Sequence, residues 1–211
     1  MDTFDLYKDM QCRTNGEIYL GVVGPVRSGK STFIKRFMDV LVLPKMTDEH
    51  AKERTVDELP QSASGKSIMT TEPKFVPKEA AKIQLAKDVS VRVRLIDCVG
   101  YMVDGASGHL ENGAERLVKT PWNEKEIPFT KAAEIGTKKV IHDHSTIGIV
   151  VTTDGSIGEL LRESYRAAEK KTIQELKSIG KPFVVLVNTR KPYSAEAKNV
   201  AEEIQKEYQV T

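Results

Sequence analysis

Eight residues, Gly24-Pro-Val-Arg-Ser-Gly29-Lys30-Ser31, carry the clearest chemistry in this chain. They satisfy G-x-x-x-x-G-K-[ST]. They also lie between a short β-branched apolar run, Ile18–Val23, and a stretch with helical spacing that begins at Ser31. A phosphate-binding loop needs that context. Its glycines let main-chain N–H groups curl around a polyphosphate, and the helix start adds the positive end of its dipole. The nucleotide-binding candidates are therefore Gly24, Pro25, Val26, Arg27, Ser28, Gly29, Lys30, Ser31 and Thr32. Lys30 is expected to reach the β- and γ-phosphates, and the Ser31 hydroxyl to hold Mg2+.

A second element, Leu95-Ile-Asp-Cys-Val-Gly100, ends another apolar run. Asp97 stands where a carboxylate can hold Mg2+ through water. Gly100 completes D-x-x-G, so its N–H could touch the γ-phosphate. Cys98 is expected to be a packed residue, because a neighbouring carboxylate raises a thiol's pKa. Thr70 and Thr71 follow a long polar stretch, as in a switch loop that offers a hydroxyl or carbonyl to Mg2+ and the γ-phosphate. The spacing does not choose between them. The water-orienting Gln that many small GTPases carry after D-x-x-G is absent, and Tyr101 stands there. Arg27, inside the phosphate loop, is a candidate for stabilising the transition-state charge instead. At that position the loop resembles guanylate-binding proteins, in which such an arginine acts in cis.

The base is addressed by residues 183–192, FVVLVNTRKP. A guanine-reading strand end carries Asn-Lys-x-Asp, and its Asp accepts hydrogen bonds from guanine N1–H and the exocyclic amine. Here Lys191 occupies the Asp position, and an ammonium only donates. Asn188 can still brace the phosphate loop or touch the ring, and Arg190 lies beside it. The expected preference is ATP over GTP by about tenfold or more, the order a base edge of reversed polarity favours.

Elements that could position these groups alternate along the chain. Strands are expected at Ile18–Val23, Phe75–Val76, 82–85, 89–96, Ile147–Val151 and Phe183–Val187. Residues 89–96 alternate as VSVRVRLI, which suits an edge strand or an antiparallel partner. Helices are expected over Ser31–Leu43 (stopped by Pro44, with Phe33, Ile34, Phe37, Met38 and Leu41 on one face), around Asp48–Leu59, over Thr130–Ile141 and over Glu163–Ile179. A last helix is capped by Ser194. Residues 101–128, rich in Gly, Asn and Pro, read as a long loop or small insertion. The order predicts an α/β fold with a mostly parallel sheet flanked by helices, the architecture of a P-loop NTPase. The chain stops where a further strand is expected, which suggests a piece of something longer.

Composition excludes several classes. The 211 residues are 39% apolar and 29% charged, and 32 basic against 30 acidic residues give a net charge of +2 with no concentrated basic face, so no nucleic-acid partner is expected. Two distant cysteines, Cys12 and Cys98, lack metal-ligand spacing and suit a reduced, cytoplasmic setting. No apolar stretch has the length of a membrane span, so membrane contact is expected only at the periphery. His142-Asp143-His144 reads as a polar, solvent-facing helix end.

The stretches GPVRSGKSTFIKRF, TTEPKFVP, RLIDCVGYMVDGASGHLENGAERLVKTPW and VTTDGSIGELLRESY resemble the stage IV sporulation protein A family, ATPases of the bacterial spore coat. The resemblance covers essentially the whole chain. It implies a TRAFAC-class P-loop NTPase that has turned from GTP to ATP, with Lys30, Asp97 and the pair Thr70-Thr71 functional. It further implies hydrolysis-driven self-assembly into a layer on the mother-cell side of the forespore. A small amphipathic membrane-anchoring peptide tethers that layer, and other coat proteins dock on it. Residues 1–211 would be its ATPase domain. A regulatory GTPase-type switch with a degenerate base motif is the alternative.

Overall fold

The computed structural model describes residues 16–60, 71–86, 89–111 and 113–211. Thr70 and Cys12, singled out above, lie outside them. In chain order the elements are β1 (Glu17–Val23), α1 (Lys30–Phe37), α2 (Glu49–Glu58), β2 (Lys74–Ala86), β3 (Val89–Asp97), β4 (Leu110–Glu111), β5 (Ala114–Glu115), β6 (Leu117–Thr120), β7 (Asn123–Pro128), α3 (Phe129–Lys139), β8 (Ile147–Thr153), α4 (Arg162–Ser178), β9 (Phe183–Asn188) and α5 (Ala195–Tyr208).

One five-stranded sheet, in the order β2-β3-β1-β8-β9, organises the molecule. Strands β3, β1, β8 and β9 run parallel, and β2 pairs antiparallel with β3. The fold is thus mixed α/β with a mostly parallel sheet and helices on both faces, that of a P-loop NTPase. Consecutive residues of the central strands feed opposite cores. Val22, Leu95 and Val151 join Ile34, Met38 and Val42 on the α1 side. Val23, Ile96 and Val150 join Tyr165, Ile173, Leu176 and Ile204 on the other. Burial on both faces is why these strands read as unbroken apolar runs.

Several boundaries differ from the sequence reading, each for a local reason. The segment 82–85 does not stand apart from Phe75–Val76: both belong to β2, which stays paired with β3 across register shifts at 76–81 and 84–86. Strand β3 is no edge, because β1 covers its other side. Its alternation has another origin: Val91, Val93 and Leu95 enter the core, whereas Arg94 lies over the rings of Tyr19 and Phe75.

Helix α1 gives way at Met38–Val42 to a π turn and then to a 3-10 turn that contains Pro44. A π turn adds one residue to the helical repeat. The buried line therefore runs Ile34, Met38, Val42, and Leu41 is left 46% exposed. The insertion at 101–128 is not a plain loop, since it holds two short hairpins, β4–β5 and β6–β7. Helix α3 likewise passes into a π turn at Val140–His144, where His142 pairs with Glu175 at 2.7 Å.

The last two helices match their sequence signals more directly. The Ser194 hydroxyl caps α5 by accepting from Ala197 N at 3.2 Å. At the start of α4, Arg162 grips Glu169 through two hydrogen bonds of 2.6 and 2.8 Å. The Thr152 hydroxyl donates to the same carboxylate at 2.6 Å, which fixes the helix start against the end of β8. Among the described residues no helix is long and apolar enough to cross a membrane.

Candidate nucleotide site

The C-terminal ends of β1, β3, β8 and β9 converge, and most of the sequence-predicted groups stand there. Between β1 and α1, Lys30 begins its helix with the ammonium turned into the loop, where it donates to Pro25 O at 2.6 Å. The side chain is only 5% exposed. Burial pushes its pKa down, and the nearby Cys98 and Asp97 oppose that shift.

From β3, Asp97 accepts a 2.7 Å hydrogen bond from the Ser31 hydroxyl through Oδ2. Its other oxygen, Oδ1, is buried with no hydrogen-bond partner among the described residues. Burial pushes this carboxyl's pKa up, against the Ser31 hydrogen bond and the Lys30 charge. A hydroxyl and an uncommitted carboxylate oxygen beside a phosphate loop form a hard-oxygen donor set that fits Mg2+, which otherwise takes water and phosphate oxygens. Among the described residues no group of three or more His, Cys, Asp or Glu gathers. A nucleotide-borne ion does not require one.

The D-x-x-G turn is stitched to the phosphate loop. Tyr101 N donates to Gly24 O at 3.2 Å, and Val26 N donates to Tyr101 O at 2.8 Å. Gly100 adopts φ +95°, and a Cβ there would lie 2.1 Å from Gly24 O and 2.7 Å from Lys30 Nζ. No larger residue fits. Tyr101 itself is buried, its ring under Lys171 Nζ at 4.6 Å, so the group standing in place of a glutamine packs between helices. The Cys98 thiol is buried and pushed up to about 11, chiefly by burial and only secondarily by Asp97.

Thr71 is buried just before β2, whose first residue, Lys74, lies opposite Asp97. Its carbonyl abuts Gly136 of α3, where a Cβ would come within 2.7 Å. Arg27 has φ +60°, and its guanidinium donates to Ser107 O at 3.1 Å and Ser107 Oγ at 3.0 Å, on the loop beyond Gly100. Thr32 is exposed on α1. Ser107 belongs to no motif that the sequence offers.

On the β9 side, Asn188 donates to Ser28 O at 3.1 Å and so braces the phosphate loop. Gly29, at φ +94°, leaves room for it, since a Cβ would meet Asn188 Nδ2 at 2.1 Å. Arg190 and Lys191 extend exposed from the strand end. Their backbone is nevertheless fixed: Arg190 N donates to Ser156 Oγ at 3.0 Å and Lys191 N to Thr189 Oγ1 at 3.1 Å.

Both hydroxyls lead to Asp154, at the end of β8. Its Oδ1 accepts from Ser156 N at 2.9 Å and Ser156 Oγ at 2.6 Å, and its Oδ2 accepts from Thr189 Oγ1 at 2.5 Å. Burial works against ionisation of Asp154, but the Ser156 and Thr189 donors outweigh it and hold the carboxyl below its usual range. In sequence, TTDGS reads only as the close of a strand, and nothing there announces this cluster beyond an Asp among strand-end hydroxyl residues.

Comparison with known proteins accords with this geometry. The family model for the ATPase domain of stage IV sporulation protein A matches residues 1–211. The chain is 56% identical over 206 residues to the stage IV sporulation protein A of Clostridioides difficile (strain 630), covering 98% of this chain and 42% of that protein. It is 51% identical over 210 residues to that of Bacillus subtilis (strain 168), covering 100% and 43%. The chain thus spans about two-fifths of the length of these curated relatives. A crystal structure of a Thermus thermophilus protein aligns with 90% of the chain and 22% of its own, at 13% identity and a TM-score of 0.46, too distant to bear on the site.

Proposed function

This chain belongs to the stage IV sporulation protein A family, over its ATPase domain, and from that membership we propose that residues 1–211 act as one domain that binds and hydrolyses MgATP. The observation that carries the reading is the convergence of Lys30, Ser31, Asp97 and Gly100 at one end of the sheet. Main-chain N–H groups around Gly29, Lys30 and Ser31, at the start of the helix, and the Lys30 ammonium hold the phosphates. Ser31 and Asp97 would hold a magnesium ion, and Thr70 or Thr71 would complete the set. When bound, that ion neutralises charge on the β- and γ-phosphate oxygens. Gly100 offers its N–H to the γ-phosphate, and Asn188 keeps the loop closed. A water then attacks the γ-phosphorus, the bond to the bridging oxygen breaks, and ADP and phosphate leave.

Arg27 supplies positive charge to the transition state in cis, and Ser107 is its partner in this conformation. The expected signature of Arg27→Ala is a lowered kcat with ATP binding preserved. Hydrolysis drives self-assembly of the full-length protein into a layer on the mother-cell side of the forespore. A small amphipathic spore peptide anchors that layer to the membrane, and other coat proteins dock on it. The chain's 51–56% identity to sporulation proteins supports this cellular role.

The decisive experiment measures phosphate release from MgATP by the purified chain and by Lys30→Ala, with ATP and GTP competing for the site. Release that depends on Lys30 and follows ATP supports the reading. Tighter GTP binding would instead favour a GTPase-type switch, and release unaffected by Lys30→Ala would sink both.

A further inference from the structure

We infer that Ser156 and Thr189 set the nucleotide preference by keeping the Asp154 carboxylate occupied, so that a group able to read guanine cannot do so. This inference rests on the MgATP reading above. Strand order supplies the first step. The phosphate loop follows β1, and β8 alone separates β1 from β9. Two strand spacings are about 10 Å. A triphosphate seated at Lys30 therefore projects its base across the ends of β8 and β9, where ligands of open α/β sheets lie. A hydrogen bond ties that region to the loop, from Asn188 to Ser28 O, and Ile157 Cδ1 lies 3.7 Å from where a Cβ added to Gly29 would stand.

Of the side chains at those two strand ends, the carboxylate held by its neighbours is Asp154. A carboxylate accepts through two oxygens, the pattern that matches guanine's N1–H and 2-amino donors. The Asp of a guanine-reading strand end is missing at Lys191, yet an equivalent group stands one strand away. It does not act as one because Oδ1 already holds two donors and Oδ2 one, whereas guanine's paired donors need an open site on each oxygen. Ser156 supplies two donors to one oxygen and Thr189 one donor to the other. Guanine would have to displace hydrogen bonds to a charged acceptor, which are stronger than neutral ones. Adenine presents a single amine and a ring acceptor at that edge and asks for no carboxylate.

Equilibrium competition between ATP and GTP, with Mg2+, tests this on three proteins: the wild-type chain, the double variant Ser156→Ala/Thr189→Val, and that variant with Asp154→Ala added. The wild type is expected to favour ATP by about tenfold or more. The double variant should shift the ratio toward GTP by about fivefold or more, and the added Asp154→Ala should return it. An unchanged ratio in the double variant overturns the inference. Where the double variant does not fold, Thr189→Val alone must shift the ratio in the same direction and Thr189→Ser must not; a flat result in both overturns it equally. Failure of the ATP reading shows up separately, as a wild type that prefers GTP. Failure of this inference appears only in the variants.

Discussion

The phosphate end and the base end of this site lie two strands apart and are built on opposite plans. At the phosphate end the groups are buried and pressed together. Lys30 is 5% exposed, and Gly100 is caught between Gly24 O and the Lys30 ammonium. Each residue there answers to a feature that every nucleoside triphosphate shares. At the base end the side chains that extend from the strand, Arg190 and Lys191, are exposed. Order comes instead from a hydrogen-bonded cluster around Asp154 on the neighbouring strand. The first region fixes chemistry by exclusion of space. On the inference drawn from Asp154, the second fixes preference by which lone pairs remain open. One architecture can therefore keep its hydrolytic apparatus while its base pocket changes.

That contrast predicts steeply graded responses. The largest belongs to Lys30→Ala, which should reduce phosphate release by about a hundredfold or more, since in the proposed mechanism it removes the charge that holds the reacting phosphates. A rate within a few-fold of wild type would place the chemistry elsewhere. Gly100→Ala comes next. It combines a positive φ with a Cβ only 2.1 Å from a carbonyl, so thermal denaturation should show a loss of about 2 kcal/mol or more. No measurable loss would mean that the two loops are not locked as described.

Asn188→Ala, at the seam between the regions, removes the hydrogen bond to Ser28 O. About 1 kcal/mol is at stake, read as a KM for ATP raised about fivefold with kcat little changed. An equal fall in kcat would move Asn188 from bracing to catalysis.

The Asp154 cluster adds a pH effect of defined sign. Its folded pKa lies below the ordinary aspartate value of 3.8, so its contribution to stability is complete above that value and fades as acid carries the pH down through the folded pKa. Asp154→Asn should flatten that part of the acid-denaturation curve. The smallest effect is expected of Lys191→Ala, an exposed residue, within about 0.5 kcal/mol of wild type in ATP binding. A tenfold loss would show Lys191 to be a base contact after all.

How legible each region is in sequence follows from the same contrast. A phosphate loop is local: Gly24, Gly29, Lys30 and Ser31 act through eight consecutive residues, so their order alone announces the chemistry. Asp97 and Gly100 can be read because they end a strand whose apolar run is continuous. Asn188 as a brace is legible too. The helix ends at Pro44 as its sequence signals, but the placing of Leu41 on the buried face misleads, because a π turn shifts the helical repeat by one residue and buries Val42 instead. The partners Ser107 and Ser156 carry no signal, since a serine in a polar loop acquires meaning only from what approaches it. Tyr101 is readable as a missing glutamine but not as a residue packed beneath Lys171.

The sequence by itself determined the class of fold, the candidates for phosphate and magnesium ligation, and the absence of the strand-end carboxylate that reads guanine. Each of these depends on residue type at short range: what a glycine permits, what an ammonium cannot accept, what an unbroken apolar run must bury. The tertiary structure alone decided that Asp154 stands one strand from that missing carboxylate with three donors on its oxygens, and that Arg27 meets Ser107. Those pairings join residues 35 and 80 positions apart. Only the order of strands in the sheet brings them within reach of a hydrogen bond.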